Sequence, residues 1–213
     1  MAVAILAVAD VLVRRYVEAQ IAASTEQELR DLAGVEAEIS SFPFLARIAL
    51  FGSVDRLELR LDSILGRGVD VATLELRIEG LRLDRSSLLE TNQVRITAID
   101  SARLTADITE EALNAVVPVP GVRIDLVDDA VELTVAGQTV TAGVEVSGGR
   151  LVVRPPDPVP EVSLPLPSSE LLPCEVSGRV RQDRVELTCV TDRLPPIVVE
   201  AIGAADLRDQ IQG

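Results

Sequence analysis

The residues that usually carry enzymatic chemistry are scarce in this chain of 213 residues. It has no histidine, so neither a Ser-His-Asp triad nor a Cys-His pair can form. Glycine-rich phosphate loops and metalloprotease motifs are also missing from the sequence. Acidic pairs remain, but Glu110-Glu111 is typical of a helix start and Asp128-Asp129 of a turn. A carboxylate-dependent hydrolase is the weakest functional hypothesis, and we predict no catalytic residue, metal ligand or cofactor.

An aromatic cluster is the most distinctive local feature of the sequence. The segment SFPFLARIALFG contains all three phenylalanines, Phe42, Phe44 and Phe51, in a chain with one tyrosine and no tryptophan. Pro43 restricts the backbone between the first two rings. Two interpretations stay open: a plug of hydrophobic core, or the mouth of a site for an apolar ligand.

The composition limits the classes of protein to which the chain can belong. With 47% hydrophobic residues it is too apolar for a disordered chain, and its charges are too evenly spread for an integral membrane protein. The net charge of −14 and the lack of a basic stripe argue against nucleic acid as a partner. The length is sufficient for a sizeable hydrophobic core.

Residues 1–33 are predicted to form an N-terminal helix that ends at Gly34. Ser24 and Gln27 fit a capping box, which indicates a break or restart of the helix there. Its apolar segment, residues 2–13, is shorter than the roughly 20 residues of a membrane span and contains Asp10. Two compatible interpretations remain: the remnant of a membrane anchor, or a helix packed on the domain formed by residues 34–213. We expect effectively a single domain.

After the phenylalanine cluster the hydrophobic period changes from about 3.6 to 2, which predicts strands that are apolar on one face and therefore an antiparallel sheet. The apolar face shifts near Gly80, as at a bulge, and the pattern breaks near Asp100. Thr109 is the predicted N-cap of a short helix that Pro118 and Pro120 end. A final helix is predicted from residue 195. The predicted strands lie in residues 54–64, 69–83, 93–108, 122–127, 130–135, 139–146 and 150–155.

The two cysteines belong to a predicted β-hairpin, residues 174–191. Pairing Val176 with Leu187 and Gly178 with Val185 places Cys174 opposite Cys189. A disulfide there implies an oxidising compartment, and two free thiols in a reducing one are the alternative. The preceding proline-rich residues 155–173 form either a linker or, because Val162, Leu164 and Leu166 alternate, an extended arm across the sheet.

The aliphatic face of this sheet needs a cover. Breaks at Gly80, Asp100 and Gly143 favour a long, strongly curved antiparallel sheet wrapped around the N-terminal helix, with room for an acyl chain. A sandwich or barrel closed on itself is the alternative. In either case the fold class is α+β, with a short middle helix and a C-terminal helix.

The sequence between Tyr16 and Arg154 resembles the LmeA family of phospholipid-binding proteins of the actinobacterial cell envelope. The resemblance rests on Phe-Pro-Phe-Leu followed by Gly52 and VDRLELRLD, supported by ITEEAL. It implies a tubular lipid-binding fold, a periplasmic or envelope location, an N-terminal membrane anchor, and a role in lipoglycan (mannan) elongation without catalysis. Implied partners are phospholipid, the membrane surface and envelope glycosyltransferases.

The lipid hypothesis places acyl chains against the aromatic cluster and the inner face of the first two long strands, with Arg47 near enough in sequence to meet a phosphate. A second hypothesis is an envelope scaffold whose closed β core binds a partner protein. A lipid binder should contain an aliphatic cavity, a scaffold a filled core, and a hydrolase two facing acids. The predicted lipid-binding residues are Phe42, Pro43, Phe44, Leu45, Ile48, Phe51, Leu57, Leu59, Leu61, Leu74, Leu76 and Ile78.

Overall fold

The computed structural model describes residues 2–28, 32–65, 69–91, 94–127, 130–147, 149–157, 159, 161–166, 172 and 174–194. Within these residues the chain forms an α+β fold with a strongly curled antiparallel sheet and an N-terminal helix, which confirms the predicted fold class. The predicted C-terminal helix lies outside the described residues. The helices are α1 (Ala2–Glu28), α2 (Phe44–Phe51), α3 (Arg85–Thr91) and α4 (Glu110–Ala115).

The strands are β1 (Gly34–Ile39), β2 (Ser53–Ile64), β3 (Val71–Leu83), β4 (Ile96–Ala98), β5 (Ser101–Thr109), β6 (Val122–Val127), β7 (Ala130–Val135), β8 (Gln138–Ser147), β9 (Arg150–Arg154), β10 (Val162–Pro165), β11 (Ser177–Val180) and β12 (Arg184–Thr191). They form two sheets. The seven-stranded sheet has the order β1-β2-β3-β5-β12-β11, with β4 paired to β3, and the five-stranded sheet has the order β10-β9-β8-β7-β6.

The chain folds into two compact units. Of the described residues, the first unit contains those within 2–61, 75–103 and 191–194, and the second contains those within 62–74 and 104–190. Strands β2 and β3 run from one unit into the other, so the units are not consecutive segments. The expectation that residues 34–213 act as one domain stays a prediction.

In the first unit, helix α1 runs without a break through the predicted capping box. The hydroxyl of Ser24 donates to the carbonyl of Gln20 (2.9 Å), and the hydroxyl of Thr25 donates to the carbonyl of Ile21 (2.8 Å). Both hydroxyls therefore bind the preceding turn of the helix instead of capping a new helix start. Gly34, predicted to end the helix, is the first residue of β1, a strand that the sequence analysis missed. Among the described residues, no helix is both long and apolar enough to span a membrane.

Alternation along β2 and β3 behaves as the sequence predicted. Leu57, Leu59 and Leu61 are buried in β2, whereas Arg56 and Arg60 are exposed and Glu58 is half-buried. In β3 the buried positions move from even to odd numbers at Gly80, which has a φ of +63°. The predicted shift of face is therefore confirmed, and its consequence is that Leu81 is buried instead of a residue at 80 or 82.

In the second unit, side chains of α4 bind the backbone of β6 in the five-stranded sheet, and one of them, Glu110, accepts from the N–H of Leu126 (3.0 Å). Thr109 caps the helix as predicted, accepting from the N–H of Ala112 (3.2 Å). Asn114 donates its amide to the carbonyl of Ile124 (2.6 Å) and accepts from the N–H of the same residue (2.8 Å). The proline-rich arm contributes β10, which pairs with β9 at the edge of the sheet.

The predicted disulfide between Cys174 and Cys189 is confirmed, with their Cα atoms 5.7 Å apart. The predicted hairpin register is wrong, because Leu187 pairs with Gly178 and not with Val176. Val185 likewise pairs with Val180 instead of Gly178.

The error has a simple physical origin in the turn. The N–H of Arg181 donates to the carbonyl of Arg184 (2.8 Å), which places the two-residue loop one position later than predicted. The partner of each residue then moves by two positions, and a move of two keeps every side chain on the same face. Apolar alternation is therefore identical in both registers and cannot distinguish them.

Candidate functional site

An apolar cavity of about 250 Å³ lies in the first unit. Gln20 is the one polar residue among those that line it. Because a dry apolar cavity of roughly 150 Å³ already binds benzene, a cavity of this size is large enough for a segment of an acyl chain. The lining residues are Val13, Val17, Gln20, Ile21, Ile39, Phe44, Leu45, Ile48, Val54, Leu57, Leu81, Leu83 and Val94.

One wall of the cavity is helix α1. Val13, Val17 and Ile21 follow one another at intervals of four residues and so lie on the same face of the helix. The sequence predicted this helix, but none of these three residues was among the predicted site residues. Their helical spacing was the available signal, although the same spacing is equally typical of ordinary core packing.

Helix α2 forms a second wall of the cavity. The residues of the phenylalanine-rich segment that line the cavity all belong to this helix. Phe44 is almost fully buried, while Leu45 lines the cavity and is still 37% exposed. Ile48, one turn further along, is half-buried. The exposure of Leu45 places an opening of the cavity beside α2.

A buried carboxylate from α1 holds the start of α2 in place. Pro43 occupies the N-cap position and makes no side-chain cap. The carboxylate of Asp10 takes this role, accepting from the N–H groups of Phe44 (3.1 Å) and Leu45 (2.7 Å). It satisfies two of the free N–H donors at the helix start, and its negative charge interacts favourably with the positive end of the helix dipole. Asp10 is thus a structural cap, a role that the sequence analysis did not foresee.

Most of the remaining wall comes from β1, β2 and β3, and Val94, just before β4, completes it. Leu57 and Val54 of β2 line the cavity together with Ile39 at the end of β1. In β3 the lining residues are Leu81 and Leu83, the two that follow the change of face at Gly80. The bulge is therefore what directs the end of this strand into the site.

Arg47, the predicted headgroup residue, is already engaged by a carboxylate. Its Nη1 donates to Oδ2 of Asp55 (2.9 Å), and its Nη2 lies 2.8 Å from Oδ1 of the same residue. The Nε atom is buried and has no hydrogen-bond partner. A phosphate contact by Arg47 stays a prediction, and it would require the guanidinium to be shared with or released from Asp55.

The predicted lipid-binding residues fall into three groups. Phe44, Leu45, Ile48 and Leu57 line the cavity. A second group, on β2 and β3, is buried but is not part of the lining: Leu59, Leu61, Leu74, Leu76 and Ile78. The third group is exposed: Phe42 and Pro43 lie just before α2, and Phe51 is its last residue. Phe42 is 70% exposed and Phe51 is 72% exposed.

Two ionisable groups with shifted pKa values lie outside the cavity lining in the part of the chain that the structure describes. No group of three or more Cys, Asp or Glu side chains there is arranged to hold a metal ion. Hydrogen bonds from the hydroxyls of Ser86 and Ser87 hold the pKa of Asp84 below its ordinary value. Glu161 and Glu145 raise the pKa of Arg154. All of these residues are outside the cavity lining.

An aliphatic cavity with one polar lining residue is typical of proteins that bind an apolar ligand. The family model for LmeA-like phospholipid-binding proteins matches residues 8–201, nearly the whole chain. The chain belongs to this family, as the resemblance in its sequence indicated. Comparisons with curated proteins and with solved structures found no match.

Proposed function

We propose that this protein is a non-enzymatic phospholipid carrier that holds acyl-chain carbon atoms in the cavity of the first unit. The observation that carries the proposal is a cavity of about 250 Å³ with an aliphatic lining, in a chain that belongs to a phospholipid-binding family. Apart from Gln20, the lining has no polar side chain that could bind a headgroup inside the cavity. The headgroup therefore stays at the opening beside Leu45, where Arg47 is the candidate contact.

The energetics favour exchange of lipid with a bilayer. Moving an acyl chain from water into an apolar site gains about 0.8 kcal/mol per methylene, but a bilayer already supplies this gain. A cavity with aliphatic walls offers an environment similar to the bilayer interior. Lipid can consequently move in either direction without a chemical energy source, which fits a role in transfer better than one in storage.

We place this function in the periplasm or cell envelope of an actinobacterium. The disulfide between Cys174 and Cys189 supports an oxidising compartment. From the sequence resemblance we further infer that the protein assists mannan elongation and is tethered through its N-terminal segment. Envelope glycosyltransferases are the inferred partners. These finer roles rest on the resemblance alone.

Native mass spectrometry with solvent extraction of the purified chain tests the lipid proposal. The decisive variant is Ile48→Asp, which puts a charge into the cavity wall, where an ionised carboxylate is costly beside an acyl chain. Ile96→Asp is the matched control, because Ile96 is also half-buried and belongs to the first unit but does not line the cavity.

We expect near-stoichiometric phospholipid in the wild-type protein and in Ile96→Asp, and severalfold less in Ile48→Asp. Equal lipid content in both variants would show that the cavity is not the site. A wild-type chain that carries no lipid and takes none from liposomes would favour the scaffold hypothesis instead.

A further inference from the structure

The ends of helix α2 carry large apolar side chains that the fold leaves in solvent. Leu50 is 62% exposed, Phe51 is 72% exposed, and Phe42, just before the helix, is 70% exposed. We call these residues, together with Leu45, the apolar tip. Two of the three phenylalanines in this aromatic-poor chain are thus exposed to solvent. Exposed apolar side chains of this kind mark interaction surfaces.

Helix α2 carries no unpaired charge on a protein of net charge −14, and the exposed side chain of Arg85 packs against Gly52 at the end of the helix. Arg47 is the one ionic residue in α2, and Asp55 neutralises it through two contacts. The other carboxylate at this helix, Asp10, is buried under its first turn. An apolar surface whose helix has no acidic residue suits the acyl and interfacial zone of a bilayer, whereas an acidic surface would be repelled by anionic lipid.

The tip is also rigidly mounted at both ends of α2. Asp10 caps the first turn, and Gly52 ends the helix in the left-handed conformation (φ +61°), donating its N–H to the carbonyl of Ile48 (2.9 Å). The carbonyl of Gly52 in turn accepts from the N–H of Leu83 (2.7 Å), which fixes the helix end to β3. Insertion of the tip therefore needs no refolding of the chain.

Continuity with the cavity favours lipid as the occupant of this surface. Leu45 belongs both to the tip and to the cavity lining, and Ile48 and Phe44 of the same helix continue the apolar wall inward. An acyl chain that left a bilayer beside Leu45 would reach the cavity without crossing water.

We propose that the apolar tip docks the protein on a phospholipid bilayer by inserting Phe42, Leu50 and Phe51 between the lipids at the cavity opening. This inference rests on the proposed lipid-carrier function and adds the surface through which lipid enters and leaves. The attraction is the burial of apolar side chains and not the pairing of charges. Docking accordingly does not require anionic lipid and persists at high salt.

Vesicle flotation with phosphatidylcholine alone, and with added phosphatidylglycerol, tests the proposal on the full chain. The variants are Leu50→Gln and Phe51→Gln. Leu65→Gln is the matched control, because Leu65 is 61% exposed and belongs to neither α2 nor the cavity lining. Loss of one apolar side chain of this size from the bilayer should weaken partitioning of the protein into vesicles about tenfold to a hundredfold. Leu65→Gln should bind vesicles as wild type does.

Lipid content, measured on the same samples, separates this inference from the carrier function. Variants of the tip that keep their co-purified lipid but no longer float with vesicles support docking. Wild type that carries lipid yet does not float, or Leu50→Gln and Phe51→Gln that float as well as Leu65→Gln, would overturn docking while the carrier function stands. Concentration-dependent dimers in sedimentation that dissociate in Phe51→Gln would also overturn it, by showing that a second copy covers the tip.

Discussion

Replacing Val17 with phenylalanine fills part of the cavity from the α1 side. At about 24 cal/mol per Å³, an empty cavity of about 250 Å³ costs the apo protein at most roughly 6 kcal/mol. Phenylalanine has four more carbon atoms than valine, and at about 0.8 kcal/mol each their burial gains at most about 3 kcal/mol. After side-chain ordering is subtracted, we expect the delipidated Val17→Phe protein to be about 1–2 kcal/mol more stable than delipidated wild type.

The same substitution in a filled core should have the opposite sign. Val131 of β7 is almost fully buried and does not line the cavity. Val131→Phe should destabilise the protein by about 1–3 kcal/mol, since overpacking forces neighbouring side chains out of their preferred rotamers. Urea denaturation of the three delipidated proteins measures the difference in the free energy of unfolding.

Lipid content completes the experiment. Val17→Phe should co-purify with severalfold less phospholipid than wild type, because its ring occupies the space of the acyl chain, and Val131→Phe should keep its lipid. A Val17→Phe protein that is destabilised as much as Val131→Phe, or that keeps a full complement of lipid, would refute the assignment of the cavity as an acyl-chain site.

Three further predictions concern the framework of the site and of the fold. Asp10→Ala should lower the free energy of unfolding by about 1–2 kcal/mol, since it removes the cap of α2, and Asp10→Asn should cost less because its side-chain oxygen still accepts; equal losses in urea denaturation would contradict the capping role. Replacing Cys174 and Cys189 by serine should cost roughly 3 kcal/mol by chain entropy for a sequence separation of 15 residues, and an unchanged urea midpoint would refute this. Asp84, whose pKa is lowered by the hydroxyls of Ser86 and Ser87, should favour folding above its ordinary pKa and lose that effect as the pH falls through the lowered value. An NMR titration should show its pKa rising in Ser86→Ala, and no rise would contradict the assigned cause.

Local patterns were sufficient where one face of an element meets one kind of environment. The period-2 segments became β2, β3 and β5 to β9, and Thr109 caps α4 as its position indicated. The change of face at Gly80 was also readable, since a bulge moves the apolar positions by one residue in the sequence itself. The disulfide followed from the separation of two cysteines in a hairpin, even though the register was wrong.

The sequence by itself therefore determined the class of the fold, most of its strands and the family of the protein, because periodicity and motifs are local properties of the chain. The membership of the cavity wall was decided only by the tertiary structure. Leu57 lines the cavity and Leu59 does not, although both are buried leucines on the same face of β2. Alternation specifies which face is turned away from water, but not whether a neighbouring side chain or an empty space covers it. The capping of α2 by Asp10, 34 residues earlier in the chain, was hidden for the same reason.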